Sequence, residues 1–486
     1  MGGADVFNLD ILKRLDKNKF NTIILTTLPA NNILRQDFES YADEVYDLST
    51  FLDRKDYPLF TEYIIESRKV KTIFLSNSSY GYAMLPMIKQ KFPKVAIIDY
   101  VHSVDLKDER GGFGGLTKDF DSFVDMTYTC NNFTTNQLKN DFDKKDVETL
   151  YIGTDHKKFD PKKYNRKELI KKYNIPNDKK VISFVARLSE EKRPELFVEI
   201  ANNLLSQRQD LFFVMAGAGV LYNKVASKIS KYNLKSNIML LGATNNPEEI
   251  YSISDITINC SRLEGLALTS YESLSMGVPV VSADVGGQKE LIDDSVGKIV
   301  AASKNKKEEI NNYCNAIIEV LSKLTKVKKN ARKKINDSFN LDNTIKKIEN
   351  ILVSVKPKNN NNLNTYKIIY DLYIRTIELD YKWFCNEYMV KNYGVSLYRE
   401  ELINNSEVVL TKKQRIKLKL SVLCDRFNIK NEATVILNFA RNVVNLFKGF
   451  YYSVIFAIKS IFAFIKIILK IIKKIIKKLI NVKNKG

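Results

Sequence analysis

Short apolar runs rich in β-branched residues alternate with amphipathic stretches along the first 350 or so residues. That alternation is the signature of a parallel-sheet α/β protein. Near the start, Phe7, Leu9, Leu12 and Leu15 recur at helical spacing, and residues 22–28 read as a strand. Residues 70–77 and 94–102 are buried-type strands flanking a helix over 80–92, and residues 125–132 and 149–153 carry the last strands of this half. The second half repeats the theme. Strands are predicted at 181–186, 211–219, 238–244 and 256–259, with Pro194 in the first turn of the helix after the first of them.

The most informative stretch is 261–290, SRLEGLALTSYESLSMGVPVVSADVGGQKE. After the strand ITIN, Glu264-Gly265 form a loop, a helix begins near Leu268-Thr269, and Gly277 suits its left-handed C-cap. A buried strand restarts at Pro279 and ends in the Gly286-Gly287 loop. The Glu264 loop therefore sits at the carboxyl end of a parallel strand and at a helix N-terminus, where open α/β sheets bind anionic ligands. Two carboxylates, Glu264 and Glu272, lie eight positions apart across it. Glu-x7-Glu, then Gly-x-Pro-Val-Val and Gly-Gly-x-x-Glu in register, resembles the donor-binding signature of family 4 glycosyltransferases.

The resemblance implies a GT-B fold: α/β, two Rossmann-like doubly wound domains facing a cleft, here followed by a helical C-terminal extension. It implies sugar transfer from a nucleotide-sugar donor to an acceptor hydroxyl with retention of configuration and no metal or other cofactor. Arg187 and Lys192, at a strand-to-helix switch, would stabilise the leaving diphosphate. The amides of Gly265, Leu266 and Leu268 would assist them. Glu264 would contact the donor sugar, Glu272 the ribose, and His102, at the end of strand 94–102, the transferred sugar. Gly217 and Gly219 would give close approach to the nucleotide. Gly2 and Gly3 match the family's diphosphate-facing glycine loop, although the strand that precedes that loop in the family is not present ahead of them here. Asp105 and the glycines of 111–115 read as a mobile loop suited to acceptor binding, Asp155 as a turn-former, and Asp119-Phe120-Asp121 as a solvated helix start.

The implied divisions are an acceptor-side domain over 1–160, a donor-binding domain over 161–355 whose last helix crosses back onto the first, and an asparagine-rich linker over 356–365. An aromatic-rich helical region spans 366–438, and a basic amphipathic helix spans 439–486. Five scattered cysteines, none in a C-x-x-C pair, argue against a disulfide framework and fit a reducing cytosol.

The net charge of +21 calls for an anionic partner. Its densest source is the terminal stripe: Arg441, Lys448, Lys459, Lys466, Lys470, Lys473, Lys474, Lys477 and Lys478 fall on one side of a helix, with Ile, Phe, Leu and Val elsewhere. The apolar run over 449–458 is too short to span a bilayer. The expectation is a helix lying at an anionic membrane surface, at the inner face of the cell membrane, near a glycan or lipid-linked acceptor. Two other readings stand beside sugar transfer: an epimerase or phosphorylase of the same fold, or a basic membrane- or nucleic-acid-binding protein without catalysis. Nucleic acid fits less well, since the lysines are not interleaved with stacking aromatics on a groove.

Overall fold

A computed structural model describes residues 3–29, 34–105 and 111–358. Gly2, the rest of the linker, the aromatic-rich region and the basic stripe of 441–478 lie outside the described residues. Twelve strands are described: β1 (Ile23–Thr26), β2 (Glu44–Asp47), β3 (Thr72–Ser76), β4 (Ala96–Val101), β5 (Met126–Thr129), β6 (Val147–Thr149), β7 (Lys180–Val185), β8 (Leu211–Ala216), β9 (Ile238–Gly242), β10 (Ile256–Asn259), β11 (Val280–Ala283) and β12 (Gly297–Val300). Every pairing among them is parallel.

In the second half the strands run β12-β11-β10-β7-β8-β9. Chain order reverses between β7 and β10, so this is a doubly wound sheet whose switch point lies between their carboxyl ends. Alternation along β7 divides its side chains between two cores. Ile182 and Phe184 join Leu196, Phe197, Tyr313 and Ile317 of the helices Pro194–Leu205 and Lys306–Ser322. Val181 and Val185 face Leu169, Ile170, Ile250 and Ile253 of the helices Arg166–Lys172 and Pro247–Ile253. Both faces are covered, as a parallel sheet requires.

The first half is built in two pieces. β1 pairs only with β2, and β3-β4-β5-β6 form a separate sheet. Between the pieces, the Thr27 and Ser78 hydroxyls meet at 2.8 Å. The helix Gly3–Arg14 packs Phe7 and Ile11 against Ile98 and Tyr100 of β4. The helix Leu341–Ser354 returns from the end of the second half and adds Leu341, Ile345 and Ile348 to that core, as the resemblance implies.

Two local expectations need correction. The glycines of 111–115 are not one loop, because residues Phe113–Asp119 are helical. Gly114 lies so close to Val104 that a Cβ would fall 2.6 Å from its Cγ2, which is why small residues can wind tightly here. Asp119 ends this helix and Asp121 does start the short 3-10 helix Asp121–Phe123, but that start is not simply solvated, because Asp121 pairs with the fully buried Lys144.

Candidate active site at the switch point

The two loops that flank the reversal are those after β7 and β10, which carry Arg187 and Lys192 on one side and Glu264 on the other. They are joined by the Arg262 amide donating to the Glu191 carbonyl at 2.8 Å. Lys192 Nζ lies 2.5 Å from Glu264 Oε1, which also accepts from the Ser261 hydroxyl at 2.7 Å. Both side chains are largely shielded, at 20% and 11% exposure. Arg187 is different: it is 56% exposed and only loosely paired with Glu191 at 3.7 Å. Lys192 is therefore preset by a carboxylate, whereas Arg187 reaches into solvent.

The residue after Lys192 carries strain. Arg193 has φ 54°, a left-handed conformation unfavourable for a side-chain-bearing residue. Its guanidinium grips Glu309 of the helix Lys306–Ser322 through two bonds, at 2.8 and 2.5 Å. That fork holds the turn carrying Lys192 against the core.

The helix Leu268–Ser275 begins at Ala267 with no side-chain cap, leaving first-turn amides for an anion. Gly277, φ +72°, ends it as predicted. Leu266 is buried and Leu268 partly so; both join the core through their side chains, so any ligand contact falls to their backbone. The Leu266 amide is directed at the Cys130 thiol. Glu272 accepts from the Tyr251 hydroxyl at 2.8 Å. Burial raises its pKa to about 7, with the negative charges of Glu248 and Asp10 adding to the rise and Lys158 opposing it.

The glycines have unequal roles. A Cβ on Gly217 would fall 1.8 Å from the Ala186 carbonyl oxygen, and one on Gly219 2.4 Å from that of Leu188. Both are needed for the β8 exit to press against the Arg187 loop. Gly3 starts a helix and lies beside Leu268, where a Cβ would come within 3.3 Å of its Cδ1. The predicted glycine loop is thus helical from Gly3 onward.

His102 leaves β4 toward the same place. Its Nε2 is 3.4 Å from Ser76 Oγ, and its ring packs edge-on to Phe7 and Tyr100. Burial lowers its pKa to about 4, so the imidazole is neutral near pH 7. Its carbonyl accepts from Cys130 Sγ and abuts Gly265, where a Cβ would fall 1.9 Å from that oxygen. The carboxyl ends of the two sheets therefore face one another across the Glu264 loop. Asp155 accepts from the amides of Lys157 and Lys158, the turn expected of it, and also pairs with Arg14. Glu290, noted in the sequence only as part of a motif, proves to join the halves: it accepts from two backbone amides and a tyrosine hydroxyl of the first half. Spacing alone gave no sign of that, because its partners lie 139 to 158 positions away. Among the described residues no group of three or more His, Cys, Asp or Glu is arranged to hold a metal ion.

Residues 165–334 match the family Glycosyl transferases group 1. The chain is 27% identical over 215 residues to the UDP-Gal:alpha-D-GlcNAc-diphosphoundecaprenol alpha-1,3-galactosyltransferase of Escherichia coli, covering 43% of this chain and 54% of that protein. It is 30% identical over 158 residues to the lipopolysaccharide core biosynthesis mannosyltransferase LpsB of Rhizobium meliloti, covering 31% of this chain and 45% of that protein. The matched segment thus spans about half the length of each of these relatives. Among solved structures, Anabaena Alr3699/HepE in complex with UDP superposes with a TM-score of 0.60 at 16% identity, over 73% of this chain and 96% of that one, a likeness of fold. Residues 165–334 are a glycosyltransferase group 1 domain, and the fold in which they sit is GT-B.

Proposed function

We propose that this protein is a glycosyltransferase that moves a sugar from a nucleotide-sugar donor to an acceptor hydroxyl with retention of configuration, in the synthesis of cell-surface glycans. The observation that carries the reading is the convergence of Lys192, Glu264 and an uncapped helix N-terminus at the switch point of the second sheet. The site offers positive charge and amides to a diphosphate, and carboxylates to the hydroxyls on either side of it. Lys192 and Arg187 neutralise the charge that grows on the leaving diphosphate, helped by the amides of Gly265 and Leu268, the Leu266 amide being taken by the Cys130 thiol. Glu264 holds the donor sugar, Glu272 the ribose, and neutral His102 lines the sugar pocket. Leaving-group charge is met by these groups, so the proposed reaction uses no metal.

The Escherichia coli relative is named for a diphosphoundecaprenol acceptor, and a lipid-linked or membrane-proximal glycan is the proposed acceptor class here. No helix among the described residues is long and apolar enough to cross a membrane. Attachment is assigned to the stripe of 441–478, which lies outside the described residues. Flotation with anionic vesicles should separate the full chain from one ending before Arg441, and equal flotation would remove the anchor. The activity itself is tested by nucleotide release across UDP-, GDP-, CDP- and dTDP-sugars. Release with one of them, dependent on added acceptor, is expected; no release with any would overturn the reading.

A further inference from the structure

Where the two halves touch, glycines of the second half press against the first. Gly265 abuts the His102 carbonyl and the Cys130 thiol, and a Cβ on Gly287 would fall 2.6 Å from Asn131 Cβ. The Gly287 amide also donates to the Gly265 carbonyl at 2.7 Å, so the two glycine loops move as one. Three residues on, Glu290 reaches the N-terminus of the first-half helix Asn132–Asn140. Its Oε2 accepts from the Asn132 amide at 2.9 Å and its Oε1 from the Phe133 amide at 2.7 Å. The Tyr151 hydroxyl donates to Oε2 at 2.6 Å and itself accepts from Asn132 Nδ2.

This helix already has its own cap, since Asn131 Oδ1 accepts from the Thr134 amide at 2.6 Å. The two amides that its own cap leaves over are those met by Glu290. A carboxylate at a helix N-terminus gains from both the bonds and the dipole. Because that carboxylate comes from the other half, its gain is realised only when the halves are docked.

We propose that Glu290 is a positioning residue that latches the donor half onto the first half, fixing the Glu264-Gly265 loop against His102. The last residue of the Gly-Gly-x-x-Glu motif then acts on the geometry between the halves and not on the donor. The kinetic part of this inference rests on the sugar-transfer reading; the docking part does not.

Amide hydrogen exchange on the full chain tests the docking directly. In Glu290→Ala, exchange at Asn132 and Phe133 and across 265–268 should rise by about tenfold or more, with Glu290→Gln and Tyr151→Phe intermediate. In the same Ala variant kcat should fall by about tenfold or more, while nucleoside diphosphate affinity stays within about twofold of the parent. Unchanged exchange at 265–268 would overturn the latch. Nucleotide affinity falling in step with kcat would make Glu290 a donor ligand and overturn it equally. A parent protein that transferred no sugar would sink the sugar-transfer reading, yet the exchange measurement would still judge the latch.

Discussion

The two halves use the same strand–helix grammar and arrive at sheets of different completeness. In the second half, β7, β8, β10 and β11 are buried almost throughout, with helices on both faces. In the first half β4 is fully buried, but β1 is half-exposed along its whole length and β3 along most of it. The apolar residues are present in both; what differs is hydrogen-bonded continuity, since β1 and β3 are not paired with each other. A parallel sheet gains stability from coverage on both faces and both edges, so hydrophobic composition alone does not make a strand central. The half whose sheet is continuous is also the one that carries most of the candidate donor site.

The largest effect expected is one that breaks the symmetry further. Lys89 and Asp125 form a buried ion pair at 2.5 Å, 2% and 0% exposed, and Asp125 also accepts from the amides of Ile97 and Lys358. Asp125→Ala strands the lysine ammonium, whose pKa burial already lowers, and should cost about 3–5 kcal/mol. Hydrogen exchange should show the loss in β3 to β6 with β7 to β12 protected. Equal loss in both would mean that the halves unfold as one unit.

Next is Lys192→Ala, expected to lower turnover by about 10²–10³, or roughly 3–4 kcal/mol in the transition state, with the fold retained. Nucleotide release at the parent rate would refute its role with the diphosphate. Glu272→Ala should weaken nucleoside diphosphate binding by about 1.5–3 kcal/mol, whereas Glu264→Ala should affect the sugar more than the free nucleotide. Calorimetry with nucleoside diphosphate decides between them, and equal losses would erase the distinction.

The smallest effect is on pH. With the Glu272 pKa near 7, its carboxylate is the minor form at pH 6 and the major form at pH 8. In the proposed role ribose hydroxyls donate to this carboxylate, so nucleotide affinity should rise roughly tenfold over that interval and become flat in Glu272→Gln. The sign for stability is opposite. A raised carboxyl favours the folded state when protonated, a contribution fully present below the ordinary value of 4.5 and lost as pH climbs through about 7. His102, lowered to about 4, should contribute no inflection to nucleotide affinity between pH 6 and 8.

Periodicity made the second half legible almost residue by residue, because strands covered on both faces are continuous apolar runs and their exits carry glycine or charge. The Lys192 and Glu264 loops could be placed at strand exits from sequence alone. Their ion pair could not, since 72 positions separate them and only the strand order brings β7 beside β10. The helix over Phe113–Asp119 was hidden by its glycines, which are poor helix formers and are held there by packing on Val104. The break between β1 and β3 was equally invisible, as pairing between strands leaves no mark on the composition of either.

The returning helix Leu341–Ser354 has a consequence in time. The amide of Asp16, just beyond the first helix, donates to Glu349, 333 positions later, and Phe7 and Ile98 share their core with Ile345 and Ile348. A ribosome adding about 5–20 residues per second needs roughly 17–67 s to cover that interval. Throughout it the second half can complete its sheet while the first waits with its core open. The half that is translated last is therefore expected to fold first, and a nascent chain paused before Leu341 should expose the Phe7 face to chaperones.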